Sequence, residues 1–105
     1  MIFLERFILL LCMHALFDYA IQIPWKDPAN ESYDRAVYGP WWWAMLAHCL
    51  LNGLGVWIVL GSFKFLVLET IFHFMLDTLK SNKVLTTKQD QFWHIASKVY
   101  YAAAA

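Results

Sequence analysis

Residues 41–80 read WWWAMLAHCLLNGLGVWIVLGSFKFLVLETIFHFMLDTLK, and the way this stretch is divided decides the fold. As one unbroken helix it would run about 60 Å, twice the hydrocarbon thickness that a single crossing accommodates. Gly61 and Ser62, with Lys64 close behind, supply a break. The stretch therefore predicts two antiparallel helices, 41–60 and 62–80, joined by a tight turn. Pro40 ahead of Trp41, Trp42 and Trp43 suits both a helix start and an aromatic belt at a membrane interface. Gly53 and Gly55 are expected to let helices approach closely, and Gly61 to end the helix.

Outward from this hairpin, a further apolar run covers 2–23, ending at Pro24, Asp27, Pro28 and Asn30, which open a polar loop with Lys26, Glu31, Asp34 and Arg35. Trp25 and Tyr33 in that loop read as interfacial anchors. A second polar loop, 81–88, precedes a last helix over 89–105, which at about 17 residues only just spans. The closing run Ala102 to Ala105 has no side-chain chemistry.

Composition agrees with a bilayer as solvent. The 105 residues are 61% hydrophobic and 15% charged, outside the balance of a small soluble domain, which must keep much of its surface polar. The fold expected is all-α: a polytopic membrane protein with four short transmembrane helices in one antiparallel bundle, residues 1–105 forming a single transmembrane domain. The first segment is read as a retained helix rather than a signal peptide, because Glu5 sits beside Arg6 and His14 and Asp18 interrupt the apolar run. Leu9 to Cys12 lacks the small residues of a lipoprotein box. Cys12 and Cys49 both fall in apolar runs and are expected to be buried thiols rather than a disulfide.

Loop charge gives an orientation. Lys26, Arg35, Lys80, Lys83 and Lys88 flank one side, against Arg6 and Lys64 on the other, so the positive-inside rule places loops 24–40 and 81–88 in the cytoplasm, with the chain in the cell (inner) membrane. A net charge of zero with scattered Lys and Arg gives no electrostatic reason to propose nucleic acid. The partners expected are the lipid bilayer and a larger membrane complex or homo-oligomer.

The segments carry many polar residues for a membrane interior, where each ionisable group costs about 2.5–3.5 kcal/mol on insertion scales. Helix one has His14, Asp18 and Gln22; helix two His48 and Asn52; helix three Glu69, His73, Asp77 and Lys80; helix four Asp90, Gln91 and His94. Spacing of i, i+4 stacks most of them on one face of each helix. With helix ends near 22, 41, 80 and 89 at one membrane face, a rise of about 1.5 Å per residue puts all four histidines about 8–12 Å deep. On the same arithmetic Asp18 and Asp77 lie at about 5 Å, and Asn52 and Glu69 at about 16 Å.

Interhelical hydrogen bonds of about 1 kcal/mol or less could use these residues simply to hold the bundle together. One histidine per helix at matching depth, with carboxylates beside them, points instead to a site. Imidazole and carboxylate from several helices assemble metal centres. His14, Asp18, His48, His73, Asp77 and His94 are the candidate ligands to a divalent zinc, iron or manganese ion, supported from behind by Gln22, Asn52, Lys80 and Gln91. Glu69 and Asp90 are candidate general bases for a metal-dependent hydrolase acting on a membrane-associated substrate. Three other readings stay open: bis-histidine ligation of a b-type haem, a proton or ion path, and a non-catalytic accessory subunit.

In their order along the chain, His14, Asp18, Gln22 and Trp25, then His48, then His73, Asp77 and Lys80, then Asp90, Gln91 and His94 resemble the small bacterial and phage membrane family known as domain of unknown function 3307. The resemblance covers nearly the whole chain and implies a bacterial or phage origin and a polytopic membrane protein. It lends no reaction. The family is in turn distantly similar to membrane proteins labelled metal-dependent hydrolases.

Overall fold

Gly61, at φ 67° in the left-handed region that glycine enters without strain, turns the chain between two long helices. These are α2, Trp41–Leu60, and α3, Phe63–Ser81. In the computed structural model, which describes residues 2–20 and 41–105, they are joined by α1, Phe3–His14, which runs on into a π-helical turn at Ala15–Ala20, and by α4, Thr87–Ala104. Among the described residues there are four helices and no strand. The expected loop 24–40, with Trp25 and Tyr33, and the candidate Gln22 lie outside them.

Each helix packs on its neighbours in sequence and α4 closes on α1, while α1 and α3, like α2 and α4, stand across the diagonals. Arg6 near the start of α1 donates to the carbonyl oxygens of Ala102 and Ala105 at the end of α4, at 3.4 and 2.9 Å, so these two helices run antiparallel. The cation there also meets the negative end of the helix dipole. Gly53 allows α2 to lie against α3: a Cβ there would collide with Thr70 Oγ1 and come within 2.8 Å of the Leu66 carbonyl oxygen. Gly55 does the same toward α1, where Met13 Cβ stands 3.0 Å from the place of a Cβ.

The last helix begins two residues before the expected 89, because Thr86 and Gln89 form a capping box. Thr86 Oγ1 accepts from the Gln89 amide at 3.2 Å, and Gln89 Oε1 accepts from the Thr86 amide at 3.0 Å. Cys49 is buried, as its apolar run suggested, but Cys12 is exposed on the outer face of α1. The expectation of two buried thiols therefore holds for one of them, since an apolar run fixes the kind of neighbour and not the side of the helix.

One half of the bundle interior is apolar. Leu10, Val56, Phe65, Tyr101 and Ala102 pack there with Phe7, Val59 and Leu60. The other half holds His14, Asp18, His48, Asn52, Glu69, His73, Asp77, Asp90, His94, Ser97 and Lys98, all buried. The outer surface reverses the usual distribution, with Ile8, Leu9, Leu50, Leu54, Trp57, Ile71, Met75, Ile95 and Val99 exposed. Among the described residues, α2 over Trp42–Leu60 is the one helix long and apolar enough by itself to cross a membrane.

Candidate metal centre

Four helices deliver four histidines to one layer. The ring centroids of His73 and His94 are 4.2 Å apart, His48 and His73 5.0 Å, His14 and His94 5.3 Å, and His14 and His73 6.4 Å. The i, i+4 spacing within each helix then sets carboxylates beside the rings: Asp18 by His14, Asp77 by His73 and Asp90 by His94. Asp18 rides on the π-helical turn, an irregularity that recurs at functional sites because it re-aims a side chain.

The centre of the cluster is a group of four atoms. His48 Nε2 lies 3.1 Å from His73 Nε2, 3.2 Å from Asp18 Oδ1 and 3.4 Å from Asp77 Oδ2; His73 Nε2 lies 3.4 Å from Asp18 Oδ1 and 3.2 Å from Asp77 Oδ2. All four residues are buried, and their ligand atoms fall within 4.8 Å of one another. Hydrogen bonds would have to be shared to fill this geometry. An imidazole Nε2 carries at most one hydrogen and a carboxylate none, so two ring nitrogens supply at most two protons for five close approaches. A cation at the centre satisfies all of them. Edges of this length are those of a tetrahedron whose centre lies about 2.0 Å from its corners, the distance of zinc from histidine nitrogen or carboxylate oxygen, and five of the six edges here have it.

Behind these atoms stands a second row. His73 Nδ1 lies 3.3 Å from Glu69 Oε1; with Nδ1–H donating there, the Nε2 lone pair points into the cage, as in the carboxylate–histidine–metal arrangement of many metal sites. The same Glu69 oxygen accepts from Lys98 Nζ at 2.7 Å, and Lys98 also reaches Ser97 Oγ at 3.3 Å. Gln91 Nε2 donates to Asp18 Oδ2 at 3.2 Å and to Asp90 Oδ2 at 3.3 Å, while its Oε1 faces His14 Nε2 at 3.1 Å.

Sequence spacing singled out His14, Asp18, His48, His73, Asp77, Asp90, Gln91 and His94, and the fold brings all of these together. Glu69 joins them through His73, held between that ring and Lys98. Asn52 does not reach the cage: its amide donates back to the His48 carbonyl at 3.0 Å, on its own helix. Lys80 is half-buried at the end of α3, and among the described residues its ammonium forms no ion pair with the cluster. Both sit a turn or more off the layer, where i, i+4 spacing aligns a residue in angle without bringing it to the right height. Lys98 is the site residue that spacing had not singled out. Its signal was present, since Asp90, His94 and Lys98 repeat the same i, i+4 stripe.

Bis-histidine haem ligation needs a porphyrin between two imidazoles, whereas among the described residues the histidine rings pack against one another. A through-going ion path meets the apolar half of the core at Leu10, Val56, Phe65 and Tyr101. No protein family, curated protein or solved structure matches this chain.

Proposed function

We propose that this chain is a four-span membrane protein that holds a divalent metal ion between its helices, in a cage of His48, His73, Asp18 and Asp77. The observation that carries this reading is the set of four buried ligand atoms, five of whose six pairs lie 3.1–3.4 Å apart and all within 4.8 Å, with more close approaches than hydrogens to fill them. Zinc is the ion of choice, since four nitrogen and oxygen donors in a tetrahedral cage suit it better than iron or manganese, which favour more ligands.

The membrane reading is supported by where the charges lie. Glu5, Arg6, Lys64, Lys80, Lys83 and Lys88 sit within about a turn of a helix end, and Asp18, Glu69, Asp77, Asp90 and Lys98 are buried in the bundle. Helices α3 and α4 are poor spans by composition because of residues that the bundle encloses, and the faces they turn outward are apolar. With loops 24–40 and 81–88 in the cytoplasm of a bacterial cell, the cluster lies in the half of the bundle nearer the cytoplasmic face and the apolar half lies beyond it. The reaction class that suits a metal flanked by carboxylates just below the interface is hydrolysis of a membrane-delivered substrate. Glu69 is poorly placed to take a proton there, since it is engaged by Lys98 and His73.

Elemental analysis of the detergent-purified chain, with an absorption spectrum of the same sample, tests the proposal. At least one zinc, iron or manganese ion per chain is expected, lost in His73→Ala without loss of helicity or membrane insertion. A folded, monodisperse protein that takes up no divalent ion, or one that shows a Soret band, would overturn it.

A further inference from the structure

Asp77 does not end at the cage. Its Oδ2 faces His48 and His73, and its Oδ1 lies 3.3 Å from His94 Nε2, which in turn lies 3.2 Å from Asp90 Oδ1. These three residues are buried, with ligand atoms within 4.8 Å of one another. We infer that they form a second metal position, bridged to the first by the Asp77 carboxylate, so that the protein carries a dinuclear centre; this inference rests on the metal cage proposed above.

Two features converge on it. First, Gln91 holds the outer oxygens of two carboxylates, Asp18 Oδ2 and Asp90 Oδ2. That leaves Asp18 Oδ1 aimed at the cage and Asp90 Oδ1 aimed at His94. One amide thus orients one ligand of each position. Second, His94 Nε2 faces two carboxylate oxygens with at most one hydrogen to share between them, the same shortage that marks the cage.

The two positions differ in kind. The cage has four protein ligands and is closed, as structural zinc sites are. The second position has three, His94, Asp77 and Asp90, which leaves a coordination place for water. A carboxylate bridge sets paired ions about 3.5–4 Å apart, the spacing at which two metals act together on one attacking oxygen. His14 stands beside His94, its ring centroid 5.3 Å away and its Nε2 facing Gln91 Oε1.

The test is Mn2+ alone, titrated into the detergent-purified, metal-stripped full chain, with stoichiometry read by elemental analysis and the pairing read by electron paramagnetic resonance. Two Mn2+ per chain with an exchange-coupled spectrum are expected in the native protein, falling to one Mn2+ per chain with an isolated-ion spectrum in Asp90→Asn. His94→Gln reads the same count if Asp90→Asn does not insert. One uncoupled Mn2+ per chain in the native protein overturns the second position and leaves the cage standing; no Mn2+, with no Zn2+ in a parallel titration, overturns both. Loss of every ion in a helical, inserted Asp90→Asn also overturns it, because the two positions would then be one.

Discussion

Replacing Lys98 by methionine removes the cation that lies 2.7 Å from Glu69 and leaves the ring of His73 oriented by an uncompensated carboxylate. Both partners are out of reach of water or lipid headgroups, at 2% and 0% exposure. Breaking a buried pair from one side costs about 3–5 kcal/mol, because the orphaned charge cannot be solvated. Membrane insertion scales give a similar figure, about 2.5–3.5 kcal/mol for one charge at mid-helix. Lys98→Met should therefore destabilise the bundle by about 3 kcal/mol. Removing both charges, in Glu69→Gln with Lys98→Met, should recover most of that loss, since the pair's mutual attraction and its desolvation nearly cancel. The double variant should still bind metal about 10–100-fold more weakly, because His73 loses the carboxylate behind it. Equilibrium unfolding by denaturing detergent, followed by helical circular dichroism, gives the three stabilities, and zinc titration of the same samples gives the affinities. A Lys98→Met cost below about 1 kcal/mol, or a double variant no more stable than Lys98→Met, would refute the reasoning that Glu69 and Lys98 form a buried ion pair.

Gly53→Ala should loosen the α2–α3 contact, because the added Cβ meets Thr70 Oγ1 and the Leu66 carbonyl, and backbone cannot yield as a side chain can; a loss of about 1–3 kcal/mol in the same unfolding assay is expected, the usual penalty of overpacking. Metal binding should release protons, because imidazole nitrogens must be deprotonated to ligate. The apparent zinc affinity should then decline as pH falls, because protons compete with the ion for the ring nitrogens, which titrations in buffers of differing ionisation enthalpy would measure; an affinity flat between pH 5 and 8 would count against histidine ligation.

What could be read in the sequence was angle and height, and what could not was the course of each side chain. The i, i+4 spacing fixes which residues share a helix face, and distance from a helix end fixes depth, so the layer of His14, His48, His73 and His94 follows from counting along helices of known rise. Those two coordinates do not say whether a long side chain folds inward. Lys98 has the angle of His94 and Asp90, yet a lysine near a helix end is as readily a snorkelling residue as a buried one, and only the position of Glu69 opposite decides it. The π-helical turn at Ala15–Ala20 is invisible for a related reason, since it breaks the period that the counting assumes. Asp18 reaches His48 and His73 from that turn, so the one ligand of the cage supplied by α1's continuation depends on a local irregularity. A regular α-helix through Ala15–Ala20 would change the direction of Asp18 and the geometry of the cage with it. The regular helices set the layer, and the departure from regularity completes the ligand set.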